Sequence, residues 1–238
     1  MNIIISSQIQ NVGKSSLALM LTFALTDKKN KVLLIDADIG RWTLTEVLLG
    51  KDILLAKDKV GQIFPLNELD YEFNFGYCDQ YKGIELRKEY QCCIVDLDVT
   101  RSAVHNNYYF GNADIIIIPQ PSWTEEKIKD WIIRFMNGLK KLPNVKRVMT
   151  YPIAIKYFND NSLETLRWTN FEVYDAWKKL QDAETRVGSH NNLQGLQYDE
   201  NWAKYISVQK YDEAKVKKFI NESVKALKKD LTQMGIGG

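Results

Sequence analysis

Gly13, Lys14 and Ser15 follow an apolar segment, Asn2 to Ser6, and open a run of helix-forming residues. That context gives the tripeptide chemical meaning. Backbone N–H groups at a helix start point toward a bound anion. A lysine ammonium there can bridge the β and γ phosphates of a nucleotide, and a serine hydroxyl beside it can ligate Mg²⁺. The loop, Gln8 to Ser16, lacks the usual glycines ahead of Gly13. Their places hold Gln10 and Asn11, of which asparagine tolerates positive φ and glutamine does so poorly. Read alone, Gly13 and Lys14 could simply start a buried helix. Two acid pairs weigh against that: Asp36 and Asp38 close the run VLLIDAD, and Asp96 and Asp98 close CIVDLD. Isolated acids ending apolar runs are costly unless a cation or hydrogen bonds offset their desolvation, and Mg²⁺ beside a triphosphate is such a cation. Asp98 is evenly balanced between this reading and a turn or cap role. Asp36, Asp38 and Asp96 taken with Lys14 form a metal–phosphate site.

The elements that must position these residues are short and regular. Five segments are consecutively apolar and bounded by polar residues: Asn2 to Ser6, Lys31 to Asp36, Gln91 to Asp96, Asp114 to Pro119 and Val145 to Tyr151. They read as strands buried on both faces. Helical patterns lie between them at Lys14 to Thr26, Thr43 to Leu49, Ser102 to Phe110 and Trp123 to Leu142. The alternation predicts a three-layer α/β fold, a mostly parallel twisted sheet flanked by helices, whose ligand crevice lies at the carboxyl ends of the strands. Between Lys51 and Glu89 a strand is expected over Phe73 to Tyr77 and a short helix near Gly83 to Lys88. Beyond Tyr151, helical patterns at Ser162 to Asp182 and Asp212 to Gln233 flank a polar stretch, Arg186 to Asn201, that reads as a loop ordered on demand. Without repeats or linkers, one P-loop nucleotide-binding domain over residues 1–238 is expected.

Composition narrows the function classes. The chain has 238 residues, 45% of them hydrophobic and 26% charged, and a net charge of +2, so no partner is forced by total charge. Three cysteines, two of them adjacent (Cys92 and Cys93), make no disulfide framework, and two histidines give no zinc spacing. The start carries no basic leader and no stretch reaches membrane-span length, so a cytoplasmic location is expected. The last residues, Gln233 to Gly238, suit an amphipathic membrane anchor poorly.

Taken in order, these segments resemble the ParA/MinD family of deviant Walker A P-loop ATPases over roughly residues 1 to 150. Gln8 to Ser16 stands where that family has its phosphate loop, and Val32 to Gly40 (VLLIDADIG) where it has a strand and an Asp-x-Asp switch. Tyr90 to Asp96 is similar to its Walker B strand, and Ala113 to Ser122 (ADIIIIPQPS) to its apolar strand closed by a proline-containing loop. The resemblance implies ATP and Mg²⁺ as cofactors. It implies that Gln10, Asn11, Val12, Gly13, Lys14, Ser15 and Ser16 bind the nucleotide. Ser15, Asp36 and Asp96 would serve the metal, and Asp38 the attacking water. It implies an ATP-dependent dimerising switch for plasmid DNA partition or intracellular positioning, with weak or partner-stimulated hydrolysis. A homodimer on ATP binding, non-specific DNA and a ParB-like or other protein are the implied partners, and a membrane is not. Two departures matter. Ile9 occupies the position of the family's signature lysine, which reaches the partner's nucleotide, so that route to hydrolysis is closed. The segment VKRVMTYP (145–152) lacks the asparagine with which the family often reads adenine, leaving base preference open. These departures support an alternative, a hydrolysis-deficient ParA-like adaptor in a partition, conjugation or secretion assembly.

Basic residues complete the inventory. Helical spacing over Asp212 to Gln233 puts Val216, Ile220, Val224, Leu227 and Leu231 on one face, and Lys215, Lys218, Lys225 and Lys229 with Glu222 on another. A second cluster comprises Lys127, Lys129, Arg134, Lys140, Lys141, Lys146 and Arg147. Both read either as solvated surface or as a DNA-binding face that neutralises phosphates. Trp123, Trp131, Trp168, Trp177 and Trp202 could line a partner surface, although the spacing of the first two favours packing.

Overall fold

A sheet whose strands are apolar on consecutive positions must be covered on both sides, and the computed structural model shows that arrangement. It describes residues 1–7, 12–26, 30–99, 103–121, 126–139, 141–142, 145–154, 196–197 and 200–236. Gln8 to Asn11, the pattern Ser162 to Asp182, most of Arg186 to Asn201, Lys140, and Trp123, Trp168 and Trp177 lie outside the described residues, as do the side chains of Lys127, Lys129 and Trp131.

The elements run β1 (Asn2–Ser7), α1 (Lys14–Leu25), β2 (Val32–Ala37), α2 (Thr43–Leu49), 3₁₀ turns at Lys51–Leu55 and Lys57–Lys59, β3 (Ile63–Glu68) and β4 (Tyr71–Tyr77). They continue with β5 (Cys92–Asp98), α3 (Ala103–Gly111), β6 (Ile115–Pro121), α4 (Glu126–Leu139), β7 (Arg147–Ala154), β8 (Leu196–Gln197), α5 (Glu200–Ile206) and α6 (Glu213–Gln233). The eight strands among the described residues form one sheet in the order β3-β4-β2-β5-β1-β6-β7-β8. Every neighbouring pair is parallel except the β3–β4 hairpin. Its two-residue turn, Leu69 (φ 52°) and Asp70 (φ 74°), has the paired positive φ values of a type I′ turn, built here without glycine.

Alternation along each strand divides the core in two. Ile3, Ile5, Leu34 and Ile94 face a layer containing residues of α1, α2, α5 and α6, whereas Ile4, Leu33, Ile35 and Val95 face α3 and α4. The adjacent Cys92 and Cys93 therefore point to opposite faces. Both are buried, as is Cys78, and burial pushes the Cys78 and Cys92 thiols up to about 12 and raises Cys93 too. Helix α1 (KSSLALMLTFAL) is apolar on nearly all sides because it lies between the sheet and α6.

The last helix follows its sequence pattern closely. Asp212 caps it by accepting a bond from the Lys215 N–H at 3.2 Å, and Val216, Ile220, Val224, Leu227 and Leu231 are all buried. Two polar contacts fasten it to β7: the Tyr151 hydroxyl donates to Asp230 Oδ2 at 2.6 Å, and Arg147 Nη1 donates to the Met234 carbonyl at 2.6 Å.

Two expectations are corrected. No helix forms over 83–88. Side chains of α3 satisfy that backbone instead: the Tyr109 hydroxyl donates to the Ile84 carbonyl at 3.0 Å and accepts from its N–H at 3.3 Å, and the Tyr108 hydroxyl accepts from Leu86 N at 2.9 Å. Trp202 offers no partner surface, since it is fully buried against Tyr205 and Phe219.

Candidate functional site

Strands β1, β5 and β2 lie side by side and end together. Asp36 pairs in register with Asp96, Asp96 with Ile5, and Asp98 with Ser7. By strand alternation the Asp36 and Asp96 side chains fall on the face that carries Leu34 and Ile94, the face covered by α1. The carboxylates of two separate sequence segments are thus brought beneath the start of one helix.

That start is built on Gly13, whose left-handed conformation (φ 84°, ψ 22°) occupies the N-cap with no side-chain cap bond. Only glycine takes this conformation without cost. The Leu17 N–H closes the first turn on the Gly13 carbonyl at 2.9 Å. Lys14 follows at 6% exposure, unusual for a lysine unless negative charge surrounds it. Val12 and Ser16 are buried and Ser15 is half-buried.

The acids differ in how they are satisfied. Asp36 is occupied within its own segment: Oδ1 accepts the Asp38 N–H at 3.1 Å, and Oδ2 accepts both the N–H and the hydroxyl of Thr45 at 2.8 Å. Burial nevertheless pushes its carboxyl up to about 7. Asp96 is fully buried and neither of its carboxylate oxygens accepts a hydrogen bond. Burial first, then the charges of Asp38 and Asp36, hold it well above the ordinary carboxylate range. Lys14 and the Ser15 hydroxyl act in the opposite sense, the latter without reaching hydrogen-bond geometry. Asp38, 3% exposed, is also raised by burial; Lys14 and Arg41 pull it down and Asp98 pushes it up, and its Oδ1 accepts no bond. Asp98 is buried as well, and Lys14 lies near enough to Asp38 and Asp96 for its charge to act on both.

This donor set fits a hydrated divalent cation beside phosphate. Unsatisfied carboxylate oxygens supply anionic ligands, the uncapped helix start supplies N–H groups for phosphate, and Lys14 supplies a fixed cation. Among the described residues, no three histidine, cysteine, aspartate or glutamate side chains are grouped to hold a metal by themselves. Val12, Gly13, Lys14, Ser15, Asp36, Asp38 and Asp96 are thus gathered in one place, and Gln10 and Asn11 lie outside the described residues. Sequence reasoning missed Thr45, whose bond to Asp36 spans nine residues, and left Asp98 undecided.

Lys215, Lys218, Lys225 and Lys229 are exposed along α6. In the second basic cluster Arg134 and Lys141 are exposed, but Lys146 pairs with Asp114 at 2.6 Å and Arg147 holds the end of α6, so those two have structural partners. No helix among the described residues is long and apolar enough to cross a membrane.

Comparison with known proteins places the fold among solved structures. Apo McdA from Cyanothece is similar at 19% identity and TM-score 0.59, over 95% of this chain and 98% of that one. The pNOB8 ParA bound to nonspecific DNA is similar at 12% identity and TM-score 0.63, over 98% of both chains. A plasmid partition protein from Borrelia burgdorferi B31 bound to AMPPNP gives 19% identity and TM-score 0.57, over 96% and 98%. At such identities the likeness is one of fold. No curated protein sequence matches the chain. The profile of the CobQ/CobB/MinD/ParA nucleotide-binding domain, in contrast, matches residues 3–236. With that match spanning nearly the whole length, the chain belongs to the CobQ/CobB/MinD/ParA nucleotide-binding family.

Proposed function

We propose that the chain is a ParA-like, ATP-dependent switch that dimerises on nucleotide binding and acts in DNA partition or intracellular positioning. One observation carries this reading: Asp36 and Asp96 stand level on adjacent strands beneath a buried Lys14, and the Asp96 oxygens are unsatisfied. In this role Lys14 and the main chain from Gln10 to Ser16 hold the phosphates of ATP. Ser15 and Asp96 hold Mg²⁺, and Asp36, while bracing α2, serves its outer shell. Bound Mg²⁺ supplies the positive charge that four buried carboxylates and a triphosphate require. Asp38 orients the attacking water. The exposed lysines of α6 meet DNA phosphates, a role supported by the likeness to a ParA bound to nonspecific DNA. Ile9 favours a second reading, an adaptor that binds ATP without hydrolysing it and acts through a protein partner in a partition, conjugation or secretion assembly.

Calorimetry with Mg·ATP tests the site. Lys14→Ala is expected to weaken binding roughly tenfold to a hundredfold, because hydrogen bonds to charged groups contribute about 1.5–3 kcal/mol. A native chain that binds no nucleotide would remove the proposal. Turnover measured with and without DNA separates the two readings, since binding without turnover identifies the adaptor. For the DNA arm, fluorescence anisotropy across a salt series is expected to show affinity falling steeply with salt. Lys225→Glu combined with Lys229→Glu should reduce the log–log slope by about two, roughly one per lost phosphate contact, whatever the DNA sequence. Binding indifferent to salt would take DNA out of the account.

A further inference from the structure

The loop between the switch acids and α2 is bent in a costly way. Gly40 has φ 93° and Trp42, a bulky residue, has φ 48°. A tryptophan in the left-handed region persists only where its surroundings over-determine it, and such positions concentrate at functional sites. Here the determination comes from several sides. The Arg41 and Trp42 N–H groups both donate to the Asp38 carbonyl, at 3.1 and 2.9 Å. The Trp42 indole N–H donates to the Cys78 carbonyl at 2.8 Å, and the Trp42 carbonyl accepts the Glu46 N–H at 2.8 Å. Asp36 grips both flanks of the loop, through Asp38 N–H and through Thr45.

What this clamp positions is Arg41. The residue is half-buried at the crevice, near enough that its charge counters the burial of the Asp38 carboxyl. Lys14 and Arg41 are the cations whose charges act on the buried Asp38, and the loop position where the ParA/MinD family resemblance implies a second cation holds Ile9. We infer that Arg41, fixed by the Trp42 anchor, is the second cation of this site and contacts the γ-phosphate of the bound nucleotide. The inference rests on the nucleotide-binding reading above. A guanidinium suits that role, being planar, permanently charged and able to engage phosphate oxygens through two parallel N–H bonds. Trp42 is then a positioning residue, acting through the loop conformation.

The test is calorimetric and compares a Mg²⁺-loaded, non-hydrolysable triphosphate, AMPPNP, with Mg·ADP. Arg41→Ala is expected to weaken AMPPNP roughly tenfold or more, the scale of a lost charge-assisted hydrogen bond. ADP affinity should stay unchanged, because ADP has no γ-phosphate. Retained ADP binding also reports that the variant is folded. Arg41→Lys should fall between, keeping the charge without the fork. Equal loss for both nucleotides, or loss for neither, would overturn the assignment while leaving the Lys14 site standing. If the native chain binds neither nucleotide, both proposals fall together.

Discussion

Asp96→Asn should raise the thermal stability of the nucleotide-free chain and at the same time abolish the stabilisation that Mg·ATP gives the native protein. The first effect follows from the fully buried Asp96 carboxyl, whose oxygens accept no hydrogen bond. An asparagine there carries no charge and adds two donors beside Asp38, whose Oδ1 is itself unsatisfied. The gain is on the order of 1–3 kcal/mol, the scale on which an unsatisfied buried polar group destabilises a fold. Its pH dependence has a definite sign. Asp96 is raised in the folded state above its unfolded value, so the folded chain binds the extra proton, and the stability of the native protein falls as pH rises through that interval. Asp36, pushed up to about 7, adds to the same slope. The advantage of Asp96→Asn is therefore smallest at acidic pH and grows as pH rises above the ordinary carboxylate range. The second effect follows from the proposed metal role. A ligand at a hundred times its Kd contributes about 2.7 kcal/mol, which the variant should lose. Differential scanning fluorimetry across pH, with and without Mg·ATP, reads both. A variant less stable than the native chain at alkaline pH, or one that keeps the full ATP response, contradicts the account.

Trp202→Ala acts in the opposite direction and needs no nucleotide. The indole is fully buried on α5, with its ring centroid 5.3 Å from Tyr205 and 5.8 Å from Phe219 of α6. Tyr205 in turn donates its hydroxyl to Glu68 at 3.0 Å, so α5 links the final helix to the β3 edge of the sheet. Truncating a buried tryptophan removes its transfer free energy and leaves a cavity, a cost of about 3–5 kcal/mol. Against a typical stability of roughly 5–15 kcal/mol, that shifts a urea midpoint strongly. Trp202→Phe keeps part of the packing and should cost less. A midpoint for Trp202→Ala within error of the native value would mean that α5 does not pack as described.

The parts of this molecule governed by local pattern are legible in its sequence. β1, β2, β5, β6 and β7 are consecutively apolar because they are covered on both faces, and the apolar runs mark each of them to within a few residues. The apolar row of α6 follows from the helical period alone. What escapes such reading depends on contacts between distant residues. The β3–β4 hairpin turns on Leu69 and Asp70, which carry no glycine signal for positive φ. The backbone of 83–88 resembles a helix in composition, yet it is satisfied by tyrosines more than twenty residues away. Lys14 is read from its place at a helix start, and Asp36, Asp38 and Asp96 from residue type at strand ends. Thr45 is not legible in that way, because its bonds to Asp36 arise only once the loop after Asp38 takes its strained bend, and the place of Arg41 beside Asp38 depends on the same bend.

The three thiols have a practical consequence for studying this protein in solution. Thiolate, rather than thiol, attacks a maleimide, and Cys78, Cys92 and Cys93 are all enclosed in the core with their ionisation pushed to alkaline values. A dye or spin label offered to the folded native chain at neutral pH therefore has no ready acceptor. One reactive cysteine installed on the exposed face of α6, for instance at Lys228, would carry the reporter without prior removal of the natural cysteines.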